Sequence, residues 1–493
     1  MQILTRQQRR NVLYLLAMIV LLSSCVPLAP VTPSDPADIA LVNVNIINVE
    51  DGSILTNQSI FIKGEVIDRI EPFTSLPTDA ANQIIAGDGG WVIPGLWDMH
   101  VHLRAAGMPP ELATDWQMPL LLANGVTGVR DMASDCDGPE QGPVCFQQMV
   151  EWREQIEHGE LLGPRLVALS SFPLNPPWDY EVTEEQARGM TAALQEMGIE
   201  NIKIYDRLSP QALVWFMDAA QEQGLRGWGH VPLRVTAVEA SNAGMRSIEH
   251  ARDFLFDCYP GTAEFRSTTT SSAPTPAQMR EMVSRHDEAI CRELFSTLKE
   301  NGTYFTPTHV TRRMEAMADD EAFRNDSRLK FIFPALQDAW NRDADRVIAI
   351  DPSPEGRQSF MDFYQKGLEI TGAAHKAGVT ILLGTDSGDT YVFPGSAVHD
   401  ELGELVKAGL SPAEALRAAT LNGAEMLNLA DEFGSVAEGK RADLLLLSRN
   451  PLEDIDNTRA ISALFFAGRY LDREKLDELL AQAEATAMLP LDK

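Results

Sequence analysis

Between residues 91 and 385, apolar runs of strand length alternate with amphipathic helical segments, and this alternation constrains the chain more than any other feature. Strands separated by helices cannot pair as hairpins. Each must cross over and run parallel to its neighbour. Eight such runs can be counted, at 91–103, 126–132, 165–170, 201–205, 225–231, 245–250, 303–308 and 379–385. Eight parallel strands close into a barrel with the helices outside. The intervening segments, such as 184–197 and 210–223, repeat apolar residues at three- and four-residue spacing, the period of a helix that buries one face.

On either side of this core the pattern changes. Residues 38–93 carry short β-rich runs broken by Asp51-Gly52, Lys63-Gly64 and Gly89-Gly90, and a similar signature returns over 431–475. Neither piece is long enough to bury two faces alone, so together they are expected to form one small β-sandwich. The architecture read from the chain is therefore α/β: a (β/α)8 TIM-like barrel over 94–430 with a β-sandwich satellite. Two insertions, 258–276 and 311–354, follow barrel strands on the face where active sites are built, and are read as facing substrate.

The first residues carry Arg6, Arg9 and Arg10, the apolar run 12–22, and then Leu22-Ser23-Ser24-Cys25, the layout of a secretory signal. The run is too short to span a bilayer, which takes ~20 apolar residues. With its cysteine directly after Leu-Ser-Ser, the segment 1–25 resembles a bacterial lipoprotein signal. That resemblance implies a lipid on Cys25 and an exported protein, periplasmic or at the cell surface, held at the membrane by the lipid alone. Residues 26–37, with Pro27, Pro30, Pro33 and Pro36, read as an extended tether. Of the five cysteines, four then remain for an oxidising compartment. Cys136 and Cys145 flank an Asp/Gly/Pro-rich stretch and are expected to pair, and Cys258 would then pair with Cys291; four free buried thiols are the alternative. The net charge of -30 excludes extended contact with phosphate backbones, so no nucleic-acid partner is expected.

The strongest local signal is Val92-Ile-Pro-Gly-Leu-Trp-Asp-Met-His-Val-His-Leu. Alternate side chains of an extended strand share a face, so His100 and His102 point the same way and can bind one metal. Neutral imidazole suits zinc and its neighbours. Read with the β-rich segment before it, the motif resembles the first barrel strand of the amidohydrolase superfamily, over about residues 40–470. Further segments match that pattern: Lys203 in Asn-Ile-Lys-Ile-Tyr, His230 in Gly-Trp-Gly-His-Val, His250 in Ser-Ile-Glu-His, Asp386 in Leu-Leu-Gly-Thr-Asp-Ser, and the tail from Leu416 through Asp443. The resemblance implies two divalent metal ions, zinc being the expected one. His100, His102 and Asp386 would hold one ion and His230 and His250 the other, with Lys203, carboxylated by CO2, bridging both. It also implies a bridging hydroxide as nucleophile, with Asp386 taking its proton and delivering it to the leaving nitrogen. Lys203 and Asp386 are the expected catalytic side chains.

Around this set, Tyr205 shares the strand face of Lys203 and is a candidate substrate contact, as is His309 just after the seventh run. A substrate carboxylate would need a cation, and Arg207, Arg234 and Arg252 lie just after runs four, five and six. His158, His286 and His375 read as exposed, and His399 as packing at the start of the last barrel helix. The strand motifs, with Gly395-Ser-Ala-Val-His-Asp-Glu-Leu, are most similar to the imidazolonepropionase-related branch, which includes metal-dependent Xaa-Pro dipeptidases. This likeness implies hydrolysis of an amide bond in a dipeptide, an Xaa-Pro substrate or an N-acyl amino acid. The expected partner is thus a small molecule or short peptide, and a homo-oligomer is the expected assembly. The alternatives are a mononuclear ring-opening or deaminating hydrolase, which needs no bridge, and a non-catalytic ligand-binding lipoprotein, which has no use for Asp386.

Overall fold

A computed structural model of the chain describes residues 37–74, 80–103, 112–133 and 142–489. The signal segment, Cys25, Cys136 and the side chain of Cys145 lie outside the described residues. The remaining pair, Cys258 and Cys291, is joined by a disulfide (S–S 2.10 Å) that ties the start of the first insertion to the helix Glu288–Asn301.

The outer β-rich segments meet in one sheet. Its strands run in the order Arg469–Asp472, Ile461–Phe466, Leu444–Leu447, Trp91–Pro94, Ala37–Ile47, Ile54–Lys63 and Val66–Pro72, with Ala81–Ala86 also paired to Ala37–Ile47. The expected sandwich is thus a single continuous sheet that curls on itself. Leu41, Val44, Ile60, Val92, Leu444 and Phe465 fill its fold as one apolar cluster. The stitch is Trp91–Pro94, which pairs parallel with the N-terminal strand and antiparallel with Leu444–Leu447.

The first barrel run is therefore not one strand, as its unbroken hydrophobicity suggests. It changes sheets at Gly95, where a Cβ would stand 2.2 Å from the Thr127 hydroxyl, so no larger residue fits the crossing point. Beyond it, seven parallel strands follow in sequence order: Leu96–Val101, Val126–Asp131, Arg165–Leu174, Asn201–Ile204, Arg226–Gly229, Ser247–Glu249 and Tyr304–Thr306. The eighth run closes the ring as an irregular segment. The Phe305 N–H donates to Thr380 and the Leu382 N–H to Phe305 on one side, while Met99 donates to Leu383 and Asp386 to His100 on the other. Helices Glu184–Glu196 and Pro210–Glu222 lie outside the strands, each started by a hydroxyl N-cap, Thr183 and Ser209. The second insertion folds into helices His309–Ala316 and Pro334–Ile350 with its own apolar cluster of Trp116, Phe333, Trp340, Tyr391 and Phe393.

Candidate metal centre

His100 and His102 project from the end of the first barrel strand; His100 is fully buried and His102 partly exposed. Asp386, on the closing segment, faces both. Its Oδ1 lies 3.4 Å from His100 Nε2 and 3.1 Å from His102 Nε2, and its Oδ2 lies 3.8 Å from His250 Nδ1. His230 and His250 end strands five and six, with their Nε2 atoms 3.0 Å apart. Lys203 comes from strand four, and Gly229 on the neighbouring strand (φ +131°) would place a Cβ 2.2 Å from the Ile204 carbonyl, so the two strands close here only around a glycine. All six residues line one cavity of about 370 Å³ at the C-terminal ends of the strands.

The donor set fits divalent metal. Asp206 lies 2.6 Å from His230 Nδ1, and a carboxylate only accepts, so the proton sits on Nδ1 and the Nε2 lone pair faces the cavity. His250 Nδ1 is 2.8 Å from the Thr308 hydroxyl, which leaves its Nε2 facing that of His230. Two nitrogens on one tetrahedral ion, each ~2.0–2.1 Å from it, stand about 3.3 Å apart, close to the spacing seen. The Lys203 Nζ is buried with no hydrogen-bond partner, a costly state unless something else engages it. Burial also lowers its pKa to about 8 against the pull of Glu249 and Asp386, which enlarges the share of neutral amine, the form that reacts with CO2.

The histidine protonation states suit a metal site. Burial, assisted by the Lys203 charge, brings His100 to about 4, and burial does the same for His230 and takes His250 well below the usual range. All three are neutral at pH 7. At His102 burial acts in the same direction, but the hydrogen bond and charge of Asp386 outweigh it and raise the pKa. For Asp386, burial favours the acid, yet the facing histidines hold the carboxyl well below its ordinary value.

Behind the ligands stands a charged pair that the sequence reading missed. Arg130 and Glu249 are fully buried; one guanidinium nitrogen lies 2.9 Å from each Glu249 oxygen, and Glu249 Oε2 lies 3.0 Å from His100 Nδ1. Glu249 thereby fixes the His100 tautomer, and Arg130 fixes Glu249 while donating to the Met99 carbonyl. Asp98 likewise ties strand one to the closing segment by accepting from the backbone N–H and hydroxyl of Thr385. Both Arg130 and Glu249 interrupt apolar strands, the same signal that singled out Lys203. Glu249→Gln leaves Arg130 buried without a countercharge. It is expected to cost about 3–5 kcal/mol of stability, read as a lower urea midpoint, and 10–100-fold in zinc affinity by competition titration.

The other expectations divide. Tyr205 lines the cavity with its ring stacked on His230 (centroids 4.0 Å apart), and Arg252 lines it beside the same residue. His309 does not reach it: its side chain is buried against Thr371 (Nε2 to Oγ1 2.9 Å) and its backbone N–H donates to Glu401, because Thr308 turns the chain away with φ +47°. Arg207 is exposed, and Arg234 is held by the Arg266 carbonyl (2.6 Å) and lies over Trp178, so neither meets the cavity. His158 is exposed and His399 is packed between Thr458 and the Asn124 carbonyl. His286 and His375 are half-buried rather than exposed, the first near Cys291 and the second paired with Glu414 at 3.0 Å. The insertions contribute Ser272 and Arg312 to the cavity wall, which no local pattern foretells.

A model of the amidohydrolase family matches residues 91–471. Ochratoxinase of Aspergillus niger is 23% identical over 483 residues, covering 86% of this chain and 84% of that protein. Among solved structures, a Xaa-Pro dipeptidase with methionine bound in its active site shares the fold at a TM-score of 0.61, with 20% identity over 88% of this chain and 99% of that one. A bottromycin amidohydrolase does so at 0.66, with 22% identity over 92% and 91%.

Proposed function

The chain belongs to the amidohydrolase family of carbon–nitrogen hydrolases, and from that premise we propose that it is a binuclear metal-dependent enzyme that cleaves the amide bond of a dipeptide, Xaa-Pro or N-acyl amino acid substrate. The observation that carries this reading is the unpartnered Lys203 Nζ, buried among four histidines and an aspartate. Once carboxylated, Lys203 would offer an anionic group to two ions, and His100, His102 and Asp386 would hold one and His230 and His250 the other. Two divalent ions, zinc in our reading, supply Lewis acidity that polarises a carbonyl and lowers the pKa of water toward ~7. Asp386, ionised and set against three imidazoles, is placed to accept a proton and pass it to the leaving nitrogen. Relatives named for dipeptide and amide hydrolysis support the substrate class. A lipid on Cys25 would hold such an enzyme at the membrane, in the periplasm or at the cell surface, where short peptides arrive from outside.

The test is direct. The chain purified with zinc and bicarbonate is expected to carry two zinc ions by elemental analysis and to cleave members of a dipeptide and N-acyl amino acid library. One ion per fully active chain would overturn the binuclear reading. Binding without turnover across the library would favour a ligand-capturing lipoprotein.

A further inference from the structure

The helix His309–Ala316 starts without the cap that its sequence offers. Thr308 stands at its N-cap, yet the hydroxyl caps no backbone N–H and lies 2.8 Å from His250 Nδ1 instead. The first N–H groups of a helix need acceptors, and a threonine at the N-cap normally takes one of them. Thr183, Thr236 and Thr275 do so in this chain, each with extended backbone, whereas Thr308 is left-handed at φ +47°, a costly state for a β-branched residue. Its duty has passed to Glu401, on the helix Ala397–Lys407: the His309 N–H donates to Oε1 and the Val310 N–H to Oε2, both at 2.9 Å. Glu401 is fully buried, and burial raises its pKa against the pull of these two bonds; one donor on each oxygen is the arrangement that suits the anion. Its neighbours clamp the same two helices together, Asp400 and Glu404 both pairing with Arg313 at 2.8 and 3.1 Å.

We infer that Glu401 is a positioning residue for His250, acting through Thr308. The inference rests on the reading above that His250 holds an ion. Glu401 does not line the cavity and touches none of the six candidate ligands. By supplying the helix with its acceptors, it releases the Thr308 hydroxyl for the imidazole and holds the left-handed turn that brings the two together. With Nε2 turned to an ion, the ring proton is on Nδ1 and the threonine oxygen accepts it, which fixes both tautomer and ring orientation. Without Glu401 two buried N–H groups lose their acceptors. The nearest remedy is for Thr308 to relax to the extended backbone of an ordinary N-cap and bond its own helix, which takes the hydroxyl off His250.

Zinc affinity by chelator competition, together with the imidazole nitrogen NMR shifts of His250 in the metal-free chain, tests this. Thr308→Val keeps the shape, removes the hydroxyl and is expected to weaken one of the two zinc sites by about 10–100-fold. Glu401→Gln keeps a single acceptor. It is expected to weaken the same site by about tenfold and to move the His250 resonances in the direction that Thr308→Val moves them. Combined, the two substitutions weaken zinc no more than Thr308→Val alone, within about twofold, because one path is cut twice. Tyr364→Phe removes a hydroxyl that donates to Glu404 on the same helix, and is expected to lower the melting temperature while zinc affinity and the His250 resonances stay in place. Should Glu401→Gln not fold, Glu401→Asp, which keeps the charge one carbon short of the N–H groups, carries the same expectation. Unchanged zinc affinity on substituting Glu401, additive losses in the double variant, or an equal loss in Tyr364→Phe overturns the assignment. If the unaltered chain holds no zinc, it is the metal reading that fails. The metal-free spectra then still decide the role of Glu401, which is overturned if its substitution leaves the His250 resonances unmoved.

Discussion

Asp386→Asn is expected to lower turnover of any amide substrate by about 10³–10⁴-fold with the fold intact. The substitution keeps the shape of a side chain whose oxygens lie 3.1 and 3.4 Å from the first-strand histidines, and removes both the charge and the capacity to carry a proton. Asparagine also tolerates the left-handed backbone at this position (φ +63°), so no new strain is introduced. The measurement is kcat alongside circular dichroism and zinc content. Turnover within tenfold of the unaltered chain, at matched zinc, would remove Asp386 from the proton path. The variant should also lower the pKa of His102, because Asp386 is what holds it up against burial. In the metal-free chain, a midpoint at lower pH in the NMR titration of His102 reports that change independently of turnover.

Lys203→Met should reduce bound zinc from two ions to one and lower turnover by about 10³-fold or more, because the bridge between the two histidine sets is lost. Compared without metal, the same variant should be as stable as the unaltered chain or more so. Methionine fills the space of the lysine stem, and the change removes a buried amine that has no partner in the fold. Loss of activity with unchanged or raised urea midpoint separates a functional lysine from a structural one. Two tightly held ions in Lys203→Met would show that the bridge is not needed.

Much of this was legible in the chain. The alternation of strand and helix patterns announced parallel crossovers, and the period-two spacing of His100 and His102 put both imidazoles on one strand face. Lys203 stood out because a charge in an apolar strand is expensive. Arg130 and Glu249 carry the same signal, yet their meaning depends on being 2.9 Å apart across 119 residues of sequence, a separation no local pattern spans. The eighth run was readable as apolar but not as irregular, since its hydrogen bonds go to two strands hundreds of residues apart. The choice among Arg207, Arg234 and Arg252 was equally closed to inspection. All three follow strand ends, and only packing turns one of them inward.

The sequence by itself determined the class of fold and the kinds of ligand, because strand periodicity, glycine placement and the identity of a side chain are properties of neighbours along the chain. Which ligands meet was decided by tertiary structure. His250, Thr308 and Asp386 each end a barrel strand in the left-handed region, at φ +68°, +47° and +63°. Non-glycine residues hold that conformation only when their surroundings enforce it. There the strand's alternation of faces breaks: Glu249 and His250, adjacent in sequence, both serve the centre, and His309 is sent into the core. Those turns are fixed by hydrogen bonds to neighbouring strands, and closing the barrel supplies the neighbours.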